Sequence, residues 1–117
     1  MATVLVMMST YNGEKFLQEQ VDSILNQENC DVHLLIRDDG SKDETIKILD
    51  KYSSQDSRVS WYTGENLRSA KSFMHLLIHC EKIYDYYAFA DQDDVWDIDK
   101  LSVAIGILEQ QAGPALY

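Results

Sequence analysis

Apolar residues recur along this chain with two alternating periods. TVLVMM (3–8), VHLLI (32–36), RVSWYT (58–63) and YYAFA (86–90) are short, apolar and rich in β-branched or aromatic residues. Each is bounded by a polar cluster, as a buried strand should be. Between them lie stretches with apolar residues every three or four positions. Residues 14–27 put Phe16, Leu17, Val21, Ile24 and Leu25 on one helical face. Residues 69–82 do the same with Phe73, Leu76, Leu77 and Cys80, and residues 99–111 with Leu101, Ala104, Ile105 and Leu108. A second helix carries Ile46, Leu49 and Tyr52. Ser41 and Glu44 before it have the spacing of a capping box. ALY (115–117) has the look of a fifth strand opening after the AGP break.

Four strand–helix alternations predict an α/β fold with a parallel sheet covered by helices on both faces. Continuous rather than alternating apolar runs fit strands buried on both sides. The 117 residues suffice for one domain. No repeat or low-complexity linker interrupts them.

The polar residues then acquire a position. In a parallel sheet, every loop that follows a strand lies beyond the strand carboxyl ends, where ligands bind. Ser9, Thr10, Tyr11 and Asn12 come to that rim from the first loop, and Arg37, Asp38, Asp39, Gly40 and Ser41 from the second. Glu65, Asn66 and Arg68 come from the third, and Asp91, Gln92, Asp93 and Asp94 from the fourth. The opposite loops, ENCD, SSQDS and EKIYD, read as solvated turns.

Charge sharpens this. Twenty acidic residues against ten basic ones give a formal net charge of -10. That excludes a nucleic-acid surface, which needs a basic stripe, and simple adhesion to an anionic membrane. No apolar run reaches the length of a membrane span, and the first residues lack the basic n-region of a signal peptide. Cys30 and Cys80 form no CxxC pattern and are expected as two reduced, buried thiols.

Five aspartates on one rim of an acidic chain call for a counter-charge. Hard oxygen ligands suit magnesium or manganese. In Asp91-Gln92-Asp93, alternate residues share a side, so both carboxylates are available to one ion. An EF-hand is excluded, because Trp96 and Ser102 occupy positions that need glycine and a bidentate glutamate. Asp39 is suited to accepting hydrogen bonds from a base or sugar, and Tyr11 to stacking on a base. Neither GxGxxG nor a P-loop occurs. His75 and His79 share one helix face without the glutamate of a zinc helix.

STYNGEKFLQEQVDSILNQ, RDDGSKDETIKIL, ENLRSAKSF and ADQDDVWDIDKL, in this order, resemble the nucleotide-binding half of a family 2 glycosyltransferase, the inverting group with the GT-A fold. DQDDVW resembles in particular bacterial rhamnosyltransferases of capsule and cell-wall polysaccharide synthesis. The resemblance implies a three-layer Rossmann-like sheet of order 3-2-1-4. It implies that Thr10 and Tyr11 hold the base, and that Asp38 and mainly Asp39 bind base and ribose. Lys71, with Arg68 beside it, is implied as the basic contact. Asp93 would bind a divalent metal, Mn²⁺ or Mg²⁺, and Asp91 the ribose or metal. The donor would be a dTDP- or UDP-sugar, with dTDP-rhamnose the candidate that the rhamnosyltransferase subgroup suggests, and the acceptor a glycan or a lipid-linked glycan. The setting would be cytoplasmic or at the inner membrane face. The catalytic base is expected beyond residue 117, so residues 1–117 are expected to form the donor-binding portion of a longer, here truncated, domain. Arg68 departs from the family, which often has glycine there, and Ser9 stands where proline is frequent. Two other classes compete: a nucleotide-sugar-binding module without catalysis, and a receiver-type signalling domain. The latter needs an acidic pair after the first strand, where this chain has STYN.

Overall fold

A computed structural model describes residues 1–91 and 95–109. The elements alternate as β1 (Thr3–Thr10), α1 (Leu17–Leu25), β2 (Asp31–Asp38), α2 (Thr45–Gln55), β3 (Val59–Thr63), α3 (Ser69–His79), β4 (Tyr86–Ala90) and α4 (Lys100–Leu108). The strands form one parallel sheet in the order β3-β2-β1-β4, as expected. The stretch 115–117, read as a fifth strand, lies outside the described residues.

The order follows from where the chain turns back. From β1 it steps outward to β2 and β3, then crosses to the far side of β1. The first two right-handed crossovers put α1 and α2 on one face, and the reversed step puts α3 on the other. The two apolar clusters record this. Val4, Val6, Met8, Val32, Leu34 and Ile36 face Leu17, Val21 and Ile24 of α1, Leu49 of α2, and Leu101 and Ile105 of α4. Leu5 and Met7 face Leu76 and Cys80 of α3. Alternation along β1 therefore supplies both faces from one continuous apolar run. Cys30 and Cys80 are buried and unbridged in opposite clusters, so the sheet itself separates them.

Two expectations are corrected. Phe16 precedes α1 and is 48% exposed, because the helix begins one residue later. The Ser41–Glu44 capping box does not form. Helix α2 starts at Thr45, and Glu44 makes no side-chain cap. The Ser41 hydroxyl instead donates to Asp38 Oδ1 (2.5 Å) and accepts from the Asn12 N–H (2.8 Å). Asp43 takes over the capping, accepting from the Thr45 N–H at 3.0 Å and from the Thr45 hydroxyl, while its other oxygen accepts from the Glu14 N–H. A rim loop needed Ser41 more than the helix did.

Burial pushes the Asp43 carboxyl up, but the hydrogen bonds from Thr45 and Glu14 outweigh it and hold the pKa below its ordinary value. A depressed carboxylate pKa adds stability above the unfolded value of about 3.9 and loses it as pH falls through the folded value. Asp43→Ala is expected to cost about 1 kcal/mol at pH 7. Urea unfolding of both proteins at pH 7 and pH 3 checks this, with the difference shrinking at the lower pH.

Candidate functional site

The strand registers set the rim level. Thr10 pairs with Asp38, Asp38 with Thr63, and Met8 with Ala90. The carboxyl ends of β1, β2 and β3 finish level, β4 ends two residues lower opposite Met8, and β1 stands between β2 and β4. Asp39 and Asp91 leave strands that flank β1, two strand spacings or about 10 Å apart. This is the switch point at which the chain reverses direction, and the groove there is open to ligands.

Asp38 is fully buried and faces inward. Its Oδ1 accepts from the hydroxyls of Thr10 (3.0 Å) and Ser41 (2.5 Å), and its Oδ2 from the Ser41 N–H (2.8 Å). Thr10 is equally buried. Both lie under the rim and hold the first two loops together. Asn12 completes the join with φ 48°, a conformation asparagine tolerates, and its Oδ1 accepts from the Lys42 N–H at 2.8 Å. Gly40, at φ 85°, makes the turn that lets the second loop pass beside Gly64 and Asn66.

Asp39 is 3% exposed and gathers the third loop. Its Oδ1 accepts from Arg37 Nη1 (2.6 Å) and the Leu67 N–H (2.8 Å), its Oδ2 from the Arg68 N–H (2.9 Å). A carboxylate offers about four acceptor sites. Three are taken, and one stays open. Arg37 is itself 2% exposed and also donates to Ser72 Oγ (3.0 Å) and the Glu65 carbonyl (2.9 Å). Ser9 donates to the same Ser72 oxygen at 2.6 Å. A Cβ on Gly64 would stand 2.5 Å from Arg37 Nη2, so the guanidinium occupies the space a side chain would need.

The sequence places Arg37 on the rim but gives it no role, and it gives no sign of Ser72 or Gly64. Arg37 ends an apolar strand, where a cation is rarely buried, and Ser72 lies on the inner face of an otherwise ordinary amphipathic helix. The one available signal was Asp39 two residues after Arg37.

Tyr11, Asp39, Gly40, Lys42, Asn66, Arg68 and Ser69 line an open cleft of about 610 Å³. Lys71 lines the adjoining hollow with Asn66 and Arg68. Tyr11 is 44% exposed at the cleft wall. Arg68 has φ 68° and ψ 168°, a region that is almost glycine's alone. The glycine frequent at this place in the resembling family is thereby explained: the loop bends as glycine would bend it, and Arg68 is strained. Its exposed guanidinium has no ion-pair partner among the described residues.

Asp91 is exposed at the end of β4. Asp93 lies outside the described residues, so its expected role as a metal ligand is not addressed by them. Among the described residues no three His, Cys, Asp or Glu side chains converge as a metal-holding group. Asp91 supplies a hard oxygen of the type magnesium or manganese prefers, and the site fits a metal only together with the rest of its triplet. The His pair forms no ligand set; His75 Nδ1 lies 2.8 Å from the Tyr62 hydroxyl and its ring packs on His79.

Two outcomes follow from this geometry. Asp39→Ala removes the counter-charge of a buried guanidinium and is expected to cost about 3 kcal/mol or more in urea unfolding. Arg68→Gly relieves the backbone strain and, after the greater unfolded-state freedom of glycine, is expected to stabilise by about 1 kcal/mol. Thermal unfolding of the variant against the parent measures it.

The chain matches glycosyl transferase family 2 over residues 5–114. It is 37% identical over 105 residues, 86% of this chain and 36% of the relative, to the dTDP-rhamnosyl transferase RfbG of Shigella flexneri. It is 35% identical over 109 residues, 92% of this chain and 38% of the relative, to the putative glycosyltransferase EpsE of Bacillus subtilis. The chain thus spans well under half the length of these relatives. Its fold is shared with the mannosyltransferase PcManGT of Pyrobaculum calidifontis, solved in complex with GDP-Man and Mn²⁺ (TM-score 0.76, 23% identity, 95% of this chain and 32% of that one). The order 3-2-1-4, the loops gathered by Asp39 at the switch point and the match along almost every residue lead to one conclusion: this chain belongs to glycosyl transferase family 2.

Proposed function

We propose that this chain is the donor-binding portion of an inverting glycosyltransferase, and that the rim cleft takes a nucleoside diphosphate sugar. The observation that carries this reading is the convergence of Tyr11, Asp39 and Arg68 on one cleft, beside the strand end that bears Asp91. A cleft of about 610 Å³ is of ligand size. Tyr11 offers a flat face to the base. The free acceptor site of Asp39 takes a hydrogen-bond donor of base or ribose. Thr10 and Asp38, buried beneath, hold the loops that present these groups.

Arg68 and Lys71 meet the anionic end of the donor. Asp91 and Asp93 repel a diphosphate on their own account; two unit charges at 4 Å interact by about 4 kcal/mol near a protein surface. A divalent cation held by them, Mn²⁺ or Mg²⁺, would neutralise that repulsion and stabilise the departing nucleoside diphosphate. Removing the acceptor's proton is not assigned to any residue of this chain. The donor is a dTDP- or UDP-sugar, dTDP-rhamnose being favoured by the likeness to the rhamnosyl transferase, and the acceptor a glycan or lipid-linked glycan. No helix among the described residues is long and apolar enough to cross a membrane, and we assign the reaction to the cytoplasm, at the inner face of the membrane when the acceptor is lipid-linked.

Calorimetric titration of UDP and dTDP, with Mn²⁺ and with EDTA, tests this. One nucleotide is expected to bind more tightly with Mn²⁺, and Asp91→Ala or Asp93→Ala to abolish the gain. Binding that ignores both the metal and these substitutions would overturn the metal assignment. Absence of nucleotide binding under every condition would overturn the donor site.

A further inference from the structure

Helix α1 is amphipathic, but its buried face is not uniformly apolar. Leu17, Val21 and Ile24 are fully buried, and so is Gln20, while Gln27 is 7% exposed. Burying a primary amide is unfavourable unless its groups are paired. The nitrogens of both amides are paired, and not with their own helix alone. The Gln20 amide nitrogen donates to the backbone carbonyl of Asp91, 71 residues away. Since a carbonyl only accepts, the nitrogen and not the oxygen of the amide must face it.

The next turns repeat the pattern. Ser23 Oγ accepts from the Trp96 N–H at 3.0 Å, while its hydroxyl donates to the Gln20 carbonyl. Gln27 Nε2 donates to the Asp97 carbonyl at 2.6 Å, and Gln27 Oε1 accepts from the Leu101 N–H at 2.8 Å. The Glu28 N–H donates to the Ile98 carbonyl at 2.9 Å. Leu101 is in the first turn of α4, whose N-terminal N–H groups have no partner within the helix. Asp99, at the N-cap, makes no side-chain cap. Gln27, two residues past the end of α1, therefore caps α4.

We propose that this polar stripe, led by Gln20, fixes where the chain leaves β4 at Asp91 and where it is held again at Trp96, Asp97 and Leu101. Gln20, Ser23 and Gln27 are positioning residues. Their hydrogen bonds across to this segment go to backbone atoms, so those bonds do not depend on the side chains the segment carries. The stripe grips both sides of the acidic triplet in sequence: Asp91 before Gln92-Asp93-Asp94, and Trp96, Asp97 and Leu101 after it. One observation argues against mere stitching. Gln20 Oε1 is buried with no partner among the described residues, and a half-paired buried amide is a costly way to join two segments. An apolar residue would pack there at less cost. A requirement on where Asp91 points accounts for keeping the amide.

This inference rests on the proposed metal-dependent donor site, and the test separates the two. Whichever of UDP or dTDP binds the parent chain is titrated with Mn²⁺ and with EDTA, alongside the matching nucleoside. The proteins are the parent, Gln20→Leu, Ser23→Ala and Tyr52→Phe. Tyr52 donates to Asp22 of α1 at 2.6 Å and controls for general disturbance of that helix. Gln20→Leu is expected to lose about tenfold of the affinity gained with Mn²⁺, the loss typical when a partner that orients metal ligands is removed. Its nucleoside affinity should not change, and Tyr52→Phe should keep the full gain. Should Gln20→Leu fail to fold, Ser23→Ala decides, with a smaller loss of the same kind expected. Retention of the full gain in the folded variants, whatever their thermal stability, overturns the positioning role. So does an equal loss in Tyr52→Phe. A parent chain that binds nucleotide without any gain from Mn²⁺ overturns the metal reading, and this role with it.

Discussion

Asp39 and Arg37 form a 2.6 Å ion pair with almost no exposure to water, and the ligand-facing rim is organised around it. Charges buried this deeply are costly unless they are paired and hydrogen-bonded. Arg37 therefore recruits Ser72 from α3 and the Glu65 carbonyl from the third loop, while Asp39 recruits the Leu67 and Arg68 amides. Three features of the chain, the end of β2, the third loop and the first turn of α3, are tied to one pair of side chains. Gly64 is part of the same arrangement, because the guanidinium occupies the place of its missing side chain.

The strain at Arg68 belongs to this arrangement as well. Its N–H must point at Asp39, and that demand forces a backbone shape suited to glycine. An arginine placed there brings a cation to the cleft mouth of a chain with twice as many acidic as basic residues. Local strain accepted at a ligand-facing loop is the usual mark of a functional position. The same logic covers Gln20, where a buried amide is kept in a helix face that packing alone would fill with leucine.

The rim is thus built from two independent braces. Asp38 and Asp39 secure the loops on the β2 side of β1. The polar stripe of α1 secures the segment leaving β4 on its other side. The first brace combines side-chain partners (Thr10, Ser41 and Ser72) with the Leu67 and Arg68 amides. The second works through backbone hydrogen bonds over about 70 residues of sequence, and the cleft is lined by the loops that the first brace holds.

Period and polarity along the chain were enough to determine the four strands, the four helices and the side of the sheet on which ligands gather. These follow from local rules: strand residues alternate, helical residues repeat every three to four positions, and loops after parallel strands share one edge. The strand order was available only through likeness to a known family, whereas the loop rule already brought Tyr11, Asp39 and Arg68 to one rim. What tertiary structure alone decided was the division of labour among similar residues. Asp38 and Asp39 are neighbours of one type, yet one is spent inside on Thr10 and Ser41 while the other keeps an acceptor site at the cleft. Ser41 left its helix cap for Asp38, and Gln27 caps a helix far from its own. A hydrogen-bonding group takes whichever partner the fold brings within about 3 Å, and partners some 70 residues apart leave no periodic trace in a sequence.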